Sequence, residues 1–146
     1  MLDSRELYQQ IILDHNRNPR NFRAIPAPSG HAEGNNPLCG DAVSIDVTLS
    51  DHVITDVAFQ GAGCAISRAS ASLMTETIKG KTRQEALDLF DGFRDLVTGA
   101  AEMSDPGPLA VFASLRDFPA RVKCATLAWH TLRAAIEGTT ETITTE

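Results

Sequence analysis

Two alternating runs joined by a short turn constrain this chain more than any other feature. From Ala42 to Leu49, Val43, Ile45, Val47 and Leu49 fall on one side and Ser44, Asp46 and Thr48 on the other. Asp51-His52 sits where a turn is needed, and alternation resumes with Val53, Thr55, Val57 and Phe59 on a common face. A period of two over both runs reads as a β-hairpin with one buried face, which other elements must cover.

Helical patterns supply the cover. Asp3-x-x-Glu6 reads as a capping box, followed by Leu7, Ile11 and Ile12 on one face. This predicts a helix over about 4–16, stopped by Asn18-Pro19. Arg17-Asn18-Pro19-Arg20-Asn21-Phe22-Arg23 then reads as a solvated connector, with a docking patch for an acidic partner as the alternative. Residues 24–36, rich in Pro, Gly and Asn, read as loop with room for a short edge strand. After the hairpin, Ile66, Ala69, Leu73 and Thr77, with Met74 and Ile78, mark a helix closed by Gly80. Thr82-x-x-Glu85 opens another, with Ala86, Leu89, Phe90, Phe93, Leu96 and Val97 along its stripe and Gly99 at its end. A short helix is expected over about 108–116. Pro119 begins the last helix, whose stripe is Val122, Ala125, Trp129, Leu132 and Ile136, ended by Gly138.

Strands followed by helices imply an α+β domain: a small antiparallel sheet of about three strands covered by about five helices. One domain over 1–138 and a polar, frayed tail over 139–146 are expected. A chain of 146 residues suits one domain with a substantial core. Its net charge of −6 argues against general nucleic-acid binding. No apolar run has the length of a membrane span. The N-terminus, Met1-Leu2-Asp3-Ser4-Arg5-Glu6, is polar and mixed in charge, so no signal peptide is expected. Three cysteines cannot all pair within the chain, and the expected home is the reducing cytoplasm.

All three cysteines fall at element boundaries. Cys39 lies in Asn36-Pro37-Leu38-Cys39-Gly40-Asp41, on the loop entering the first clear strand. Cys64 follows Gly61-Ala62-Gly63 between the second strand and a helix, and Cys124 lies in the early turns of the last helix. Helix N-termini, with Arg121 and Lys123 nearby, favour thiolates. With Asp41, three thiolates suffice for a tetrahedral zinc site that leaves about −2 of charge on the ligand set. The harder carboxylate is the ligand expected to open first. Spacing alone leaves this open against separately placed thiols, because the paired C-x-x-C knuckles of structural zinc modules are absent.

Three motifs in order resemble the U-type iron–sulfur assembly proteins, the family of IscU, SufU and the N-terminal domain of NifU. They are Asn36–Asp41, Gly61–Ser67 with Ala69-Ser70-Ala71-Ser72, and Phe118–Cys124 with Leu127 and Trp129. Leu7-Tyr8, Asp14-His15 and Asn18-Pro19-Arg20-Asn21 extend the resemblance over nearly the whole chain. It implies a SufE/NifU-like fold and a shared site of Cys39, Asp41, Cys64 and Cys124. IscU-like chains carry His directly before the third cysteine, where this one has Lys123. The 60 positions from Cys64 to Cys124 are also more than in IscU-like chains, the extra length lying around 82–108.

Both departures resemble SufU, implying a zinc-bound persulfide carrier, sulfurtransferase-like rather than a conventional enzyme, that serves a SufS-type cysteine desulfurase. Cys39 is the expected acceptor, because its loop is the most mobile of the three settings, and Cys124 is second. Asp41 would tune ligand release, with Arg121 balancing charge or holding Asp41 and Lys123 adding positive charge. The alternatives are a scaffold assembling iron into a [2Fe–2S] cluster on the same residues for downstream apo-acceptor proteins, and a zinc site that only staples the fold. His15 is expected to make a helix-end hydrogen bond, His52 to sit in a turn, and His31, His130 and Trp129 to serve surface or packing roles. Ser67, Ser70 and Ser72 are read as small residues that permit close helix packing rather than as nucleophiles.

Overall fold

The computed structural model describes residues 4–139 and 141–145. Helix α1 spans Ser4–Arg17, and the Asn18 N–H closes it on Asp14 O at 2.8 Å. Asp3, the expected cap, and the Leu7 side chain, expected on the apolar face, lie outside the described residues. Ile11 and Ile12 pack against the core as expected. Next come strands β1 (Gly30–Asn36), β2 (Asp41–Ser50) and β3 (Val53–Ala62), then α2 (Ala65–Ile78) and α3 (Arg83–Thr98). A 3-10 segment (Gly107–Asp117), α4 (Pro119–Glu137) and the two-residue β4 (Ile143–Thr144) complete the described chain. The expected α+β class is the observed one.

Among the described residues the sheet has four strands in the order β3-β2-β1-β4. β1–β2 and β2–β3 are antiparallel, and β4 runs parallel to β1. Asp51 and His52 form the β2–β3 turn with φ of 50° and 68°, the left-handed pair that a tight hairpin requires.

The sequence reading needs correction at four places. The 24–36 region contains a full strand, and it is internal rather than an edge. In β3 the register shifts, so that Thr48 faces Asp56 while Leu49 faces Ile54. The extra residue, Thr55, is exposed, and Ile54 takes the inward place expected for Val53 and Thr55. The 108–116 helix is a run of 3-10 turns that begins among Pro106, Gly107 and Pro108. Finally, the tail is tied down at β4: the Thr145 N–H donates to Asn35 O at 3.2 Å. Thr140 and Glu146 of that tail lie outside the described residues.

One face of the sheet packs on α4 and α2. The inward row Ile45, Val47, Ile54 and Val57 meets a core centred on Trp129, which stacks on Phe93 at 4.8 Å between centroids. Ser70 links the two central helices, donating to Ala125 O at 2.6 Å and accepting from Trp129 Nε1 at 3.2 Å. This packing sets the N-terminal ends of α2 and α4 beside the β1–β2 turn, where the cysteines lie.

Candidate metal centre

Asn36 and Asp41 pair at the mouth of the β1–β2 hairpin, with Pro37–Gly40 between them. The Leu38 N–H donates to Asn36 Oδ1 and the Cys39 N–H to Asn36 O, each at 3.2 Å. Gly40, at φ 72°, turns the chain back into β2. Cys39 therefore projects from a hydrogen-bonded turn, and Asp41, at the start of β2, is buried.

Cys64 is the N-cap of α2. Its Sγ accepts from the Ser67 N–H at 3.4 Å, and its own N–H donates to Asp41 Oδ1 at 2.8 Å. The second Asp41 oxygen lies 3.7 Å from Cys64 Sγ. Gly63 makes this approach possible, since a Cβ there would fall on Asp41 Oδ1. Cys124, fully buried on α4, places its Sγ 3.1 Å from Cys39 Sγ.

The ligand atoms of Cys39, Asp41 and Cys124 lie within 4.8 Å of one another, a grouping able to hold a metal ion. Cys64 Sγ falls outside that grouping, although it lies 3.7 Å from Asp41 Oδ2. Tetrahedral zinc–thiolate bonds of about 2.3 Å need sulfurs roughly 3.8 Å apart, so Cys39 Sγ and Cys124 Sγ, 3.1 Å apart, need to separate only slightly to share an ion. Three sulfurs and one oxygen suit zinc or iron rather than calcium or magnesium.

Electrostatics corrects one expectation. Burial, then the hydrogen bond to Cys39, pushes the Cys124 thiol well above the usual thiol range. Cys124 is the sixth residue of α4, beyond the first turn where the dipole acts, so helix position does not favour its thiolate. A bound cation would favour the thiolate forms of such a cluster. Arg121 is exposed at its rim, and its guanidinium is held in the charged form by a hydrogen bond with Cys124 and by the fields of Cys64, Cys124 and Cys39.

Residues 7–144 match the family model described as the NifU-like N terminal domain. The chain belongs to the NifU-like N-terminal domain family. It is 40% identical over 132 residues to the zinc-dependent sulfurtransferase SufU of Bacillus subtilis, covering 89% of each chain. It is 38% identical over 133 residues to the iron–sulfur cluster assembly scaffold protein IscU of Streptococcus pyogenes, covering 90% of this chain and 83% of that one. A crystal structure described as a putative iron–sulfur cluster assembly scaffold protein for the SUF system, from Fervidobacterium islandicum, superposes with a TM-score of 0.83. It shares 35% identity and covers 92% of this chain and 99% of that one.

This NifU-like domain thus brings Cys39, Asp41, Cys64 and Cys124 to one end of the molecule, with Arg121 against them and Lys123 exposed nearby. The remaining candidates stay apart from that cluster. His15 Nδ1 pairs with Ser72 Oγ at 2.6 Å, and His31 Nδ1 with Asp46 Oδ1 at 2.5 Å. His52 is in the hairpin turn, and His130 packs edge-on to Phe90 at 4.8 Å. The Arg-rich connector is a structured one: Arg20 pairs with Asp14, Arg23 with Asp56, each at 2.6 Å, and Arg68 lies over Phe22. Sequence reasoning missed Cys64 as a helix cap and Gly63 as the gap that admits Asp41. The Gly-x-Gly before the thiol was the available signal for the second.

Proposed function

We propose that this protein is an iron–sulfur cluster assembly factor that accepts persulfide sulfur from a SufS-type cysteine desulfurase at a zinc site of Cys39, Asp41, Cys64 and Cys124. The convergence of three thiols and a buried carboxylate at the β1–β2 turn carries this reading. Its likeness to a zinc-dependent sulfurtransferase supports it. So does Lys123, which cannot act as a neutral nitrogen ligand as His would.

Zinc, when bound, keeps the sulfurs as thiolates and shields them from oxidation. Cys39 and Cys64 are both half-buried whereas Cys124 is fully buried, and Cys39, on the turn beside the exposed Leu38, is the sulfur placed to meet a docking partner. Its thiolate attacks the outer sulfur of the desulfurase persulfide. A new S–S bond forms on Cys39, the desulfurase S–S bond breaks, and the desulfurase cysteine leaves as thiolate. No external oxidant or reductant is consumed. Asp41, held by the Cys64 N–H, would be the hard member of a ligand set and so the one readiest to yield to a docked partner. Arg121 offsets the negative charge of the sulfurs. Exposed apolar side chains at Leu38, 76% exposed and next to Cys39, and at Phe118, 59% exposed at the start of α4, suit a protein partner.

The 38% identity to an IscU scaffold supports a second reading, assembly of a [2Fe–2S] cluster on the same residues for apo-acceptors. Two measurements separate them: metal content of protein purified without added metal, and desulfurase turnover with and without the protein. Transfer predicts about one zinc per chain and faster turnover. The scaffold reading predicts cluster transfer from reconstituted protein to an apo-acceptor and no effect of zinc. Cys39→Ala is expected to abolish sulfur acceptance. Acceptance at the native rate by a metal-loaded Cys39→Ala protein would overturn the role of Cys39.

A further inference from the structure

Asn36 is a buried polar side chain to which the sulfur-transfer reading gives no task. The residue is 1% exposed, and its Nδ2 has no hydrogen-bond partner among the described residues. The other end of the amide is engaged, because Oδ1 accepts from the Leu38 N–H. That bond settles the amide's orientation, since the reverse would set two donors against each other. Folded proteins rarely leave a buried N–H unpaired, so an acceptor is called for.

β1 indicates where this donor lies. Its burial alternates, with Ala32, Gly34 and Asn36 on the inward face that packs on α4. A Cβ at Gly30 would strike Ala135 O, and one at Gly34 would strike Thr131 and Leu127. Two residues farther along a strand is roughly 7 Å, a little more than one helical turn. The next residue on that stripe of α4 is Cys124, three before Leu127 and seven before Thr131. Thr145 bridges this level independently, with its N–H on Asn35 O at 3.2 Å and its hydroxyl on Lys123 O at 3.3 Å. Asn36 also begins the turn that carries Cys39, whose sulfur is 3.1 Å from that of Cys124.

We infer that Asn36 Nδ2 donates a hydrogen bond to the paired sulfurs of Cys39 and Cys124 when these carry negative charge in the loaded site, which makes Asn36 a positioning residue. A neutral thiol is a weak acceptor, whereas an anionic sulfur is a strong one. The donor is therefore satisfied in the loaded protein and idle in the metal-free one. The inference rests on the proposal that these sulfurs hold a metal.

The test uses the full chain loaded with zinc or with cobalt(II). Asn36→Ser keeps a hydroxyl that can accept from the Leu38 N–H but is too short to reach the sulfurs. Asn36→Asp keeps the shape and puts an acceptor where the donor was. Zinc affinity by chelator competition is expected to fall about tenfold in Asn36→Ser and further in Asn36→Asp, the usual scale for losing a group that hydrogen-bonds a ligand. The sulfur-to-cobalt charge-transfer band should move to longer wavelength in both, because a sulfur without its donor gives up electrons more readily. The thermal midpoint of metal-free Asn36→Ser should be no lower than that of the parent. An unshifted band with unchanged affinity overturns the inference and leaves sulfur transfer standing. A metal-free midpoint that drops as far as the loaded one also overturns it, because Asn36 would then only brace the turn. If Asn36→Ser does not fold, the band of Asn36→Asp decides. A shifted band beside a desulfurase that ignores the protein supports the inference and defeats the sulfur-transfer reading.

Discussion

Asp41 reaches the thiols because residue 63 has no side chain. The carboxylate sits against the Gly63 backbone and accepts from the Cys64 N–H, which turns it toward Cys64 Sγ. In Gly63→Ala the new methyl would strike the Asp41 carboxylate first and press less closely on the Asp41 Cα, 3.1 Å away. The cost should therefore fall on the site: zinc affinity down by about tenfold, and metal-free stability changed by only about 1 kcal/mol. Chelator competition and urea melts of the same samples separate the two quantities. An affinity equal to the parent's would remove Asp41 from the ligand set. Arg121 offers the converse case. It is exposed, so Arg121→Gln should leave the fold intact while weakening metal retention, through loss of the charge beside Cys124.

The elements differ in how openly they announce themselves. α3 carries both halves of its capping box: the Thr82 N–H donates to Glu85 Oε1 at 3.0 Å, and the Glu85 N–H to Thr82 Oγ1 at 3.1 Å. Thr82→Ala should cost about 1 kcal/mol in a denaturant melt and leave zinc affinity unchanged, because α3 supplies no residue to the site. β1 is the opposite case. Its sequence Gly-His-Ala-Glu-Gly-Asn-Asn has no apolar alternation, since α4 passes so close that only glycine fits at positions 30 and 34. The close packing of α4 on its face is what erases its hydrophobic signature, while pairing with β4 is what makes it internal. In β3 a single extra residue at Thr55 exchanges the inward and outward sides, and a period-two reading has no means of locating it.

Over the whole molecule, two histidines link stability to pH. Burial holds His15 below the usual imidazole range, and burial together with Arg133 and Arg94 does the same for His130. Their folded values lie under the unfolded value of about 6.5, so the unfolded chain binds more protons as acid is added. The stability that these neutral rings contribute is complete above that pH and is lost as pH falls below it. The urea midpoint of the metal-free protein, measured with chelator to remove proton competition at the cysteines, should decline from pH 7.5 to 5.5. His130→Gln should make the decline shallower. A midpoint flat across that window would show that neither ring is kept neutral by the fold.

Much of this architecture could be read from local chemistry, because the signals were local. Thr82 and Glu85 are three residues apart, the β2 face repeats every second residue, and Gly99 and Gly138 end helices that their stripes define. The identities of Cys39, Asp41, Cys64 and Cys124 were legible for the same reason, each within a short motif. What only the tertiary structure decided depends on groups far apart in the chain. The packing of α4 across β1 and against α2 is what sets Cys124 Sγ 3.1 Å from Cys39 Sγ across 85 positions of sequence. That same burial raises a thiol which its neighbouring cations, taken alone, would have lowered. Sequence carries the donors, but their distances and their desolvation exist only once the sheet and the helices have closed on each other.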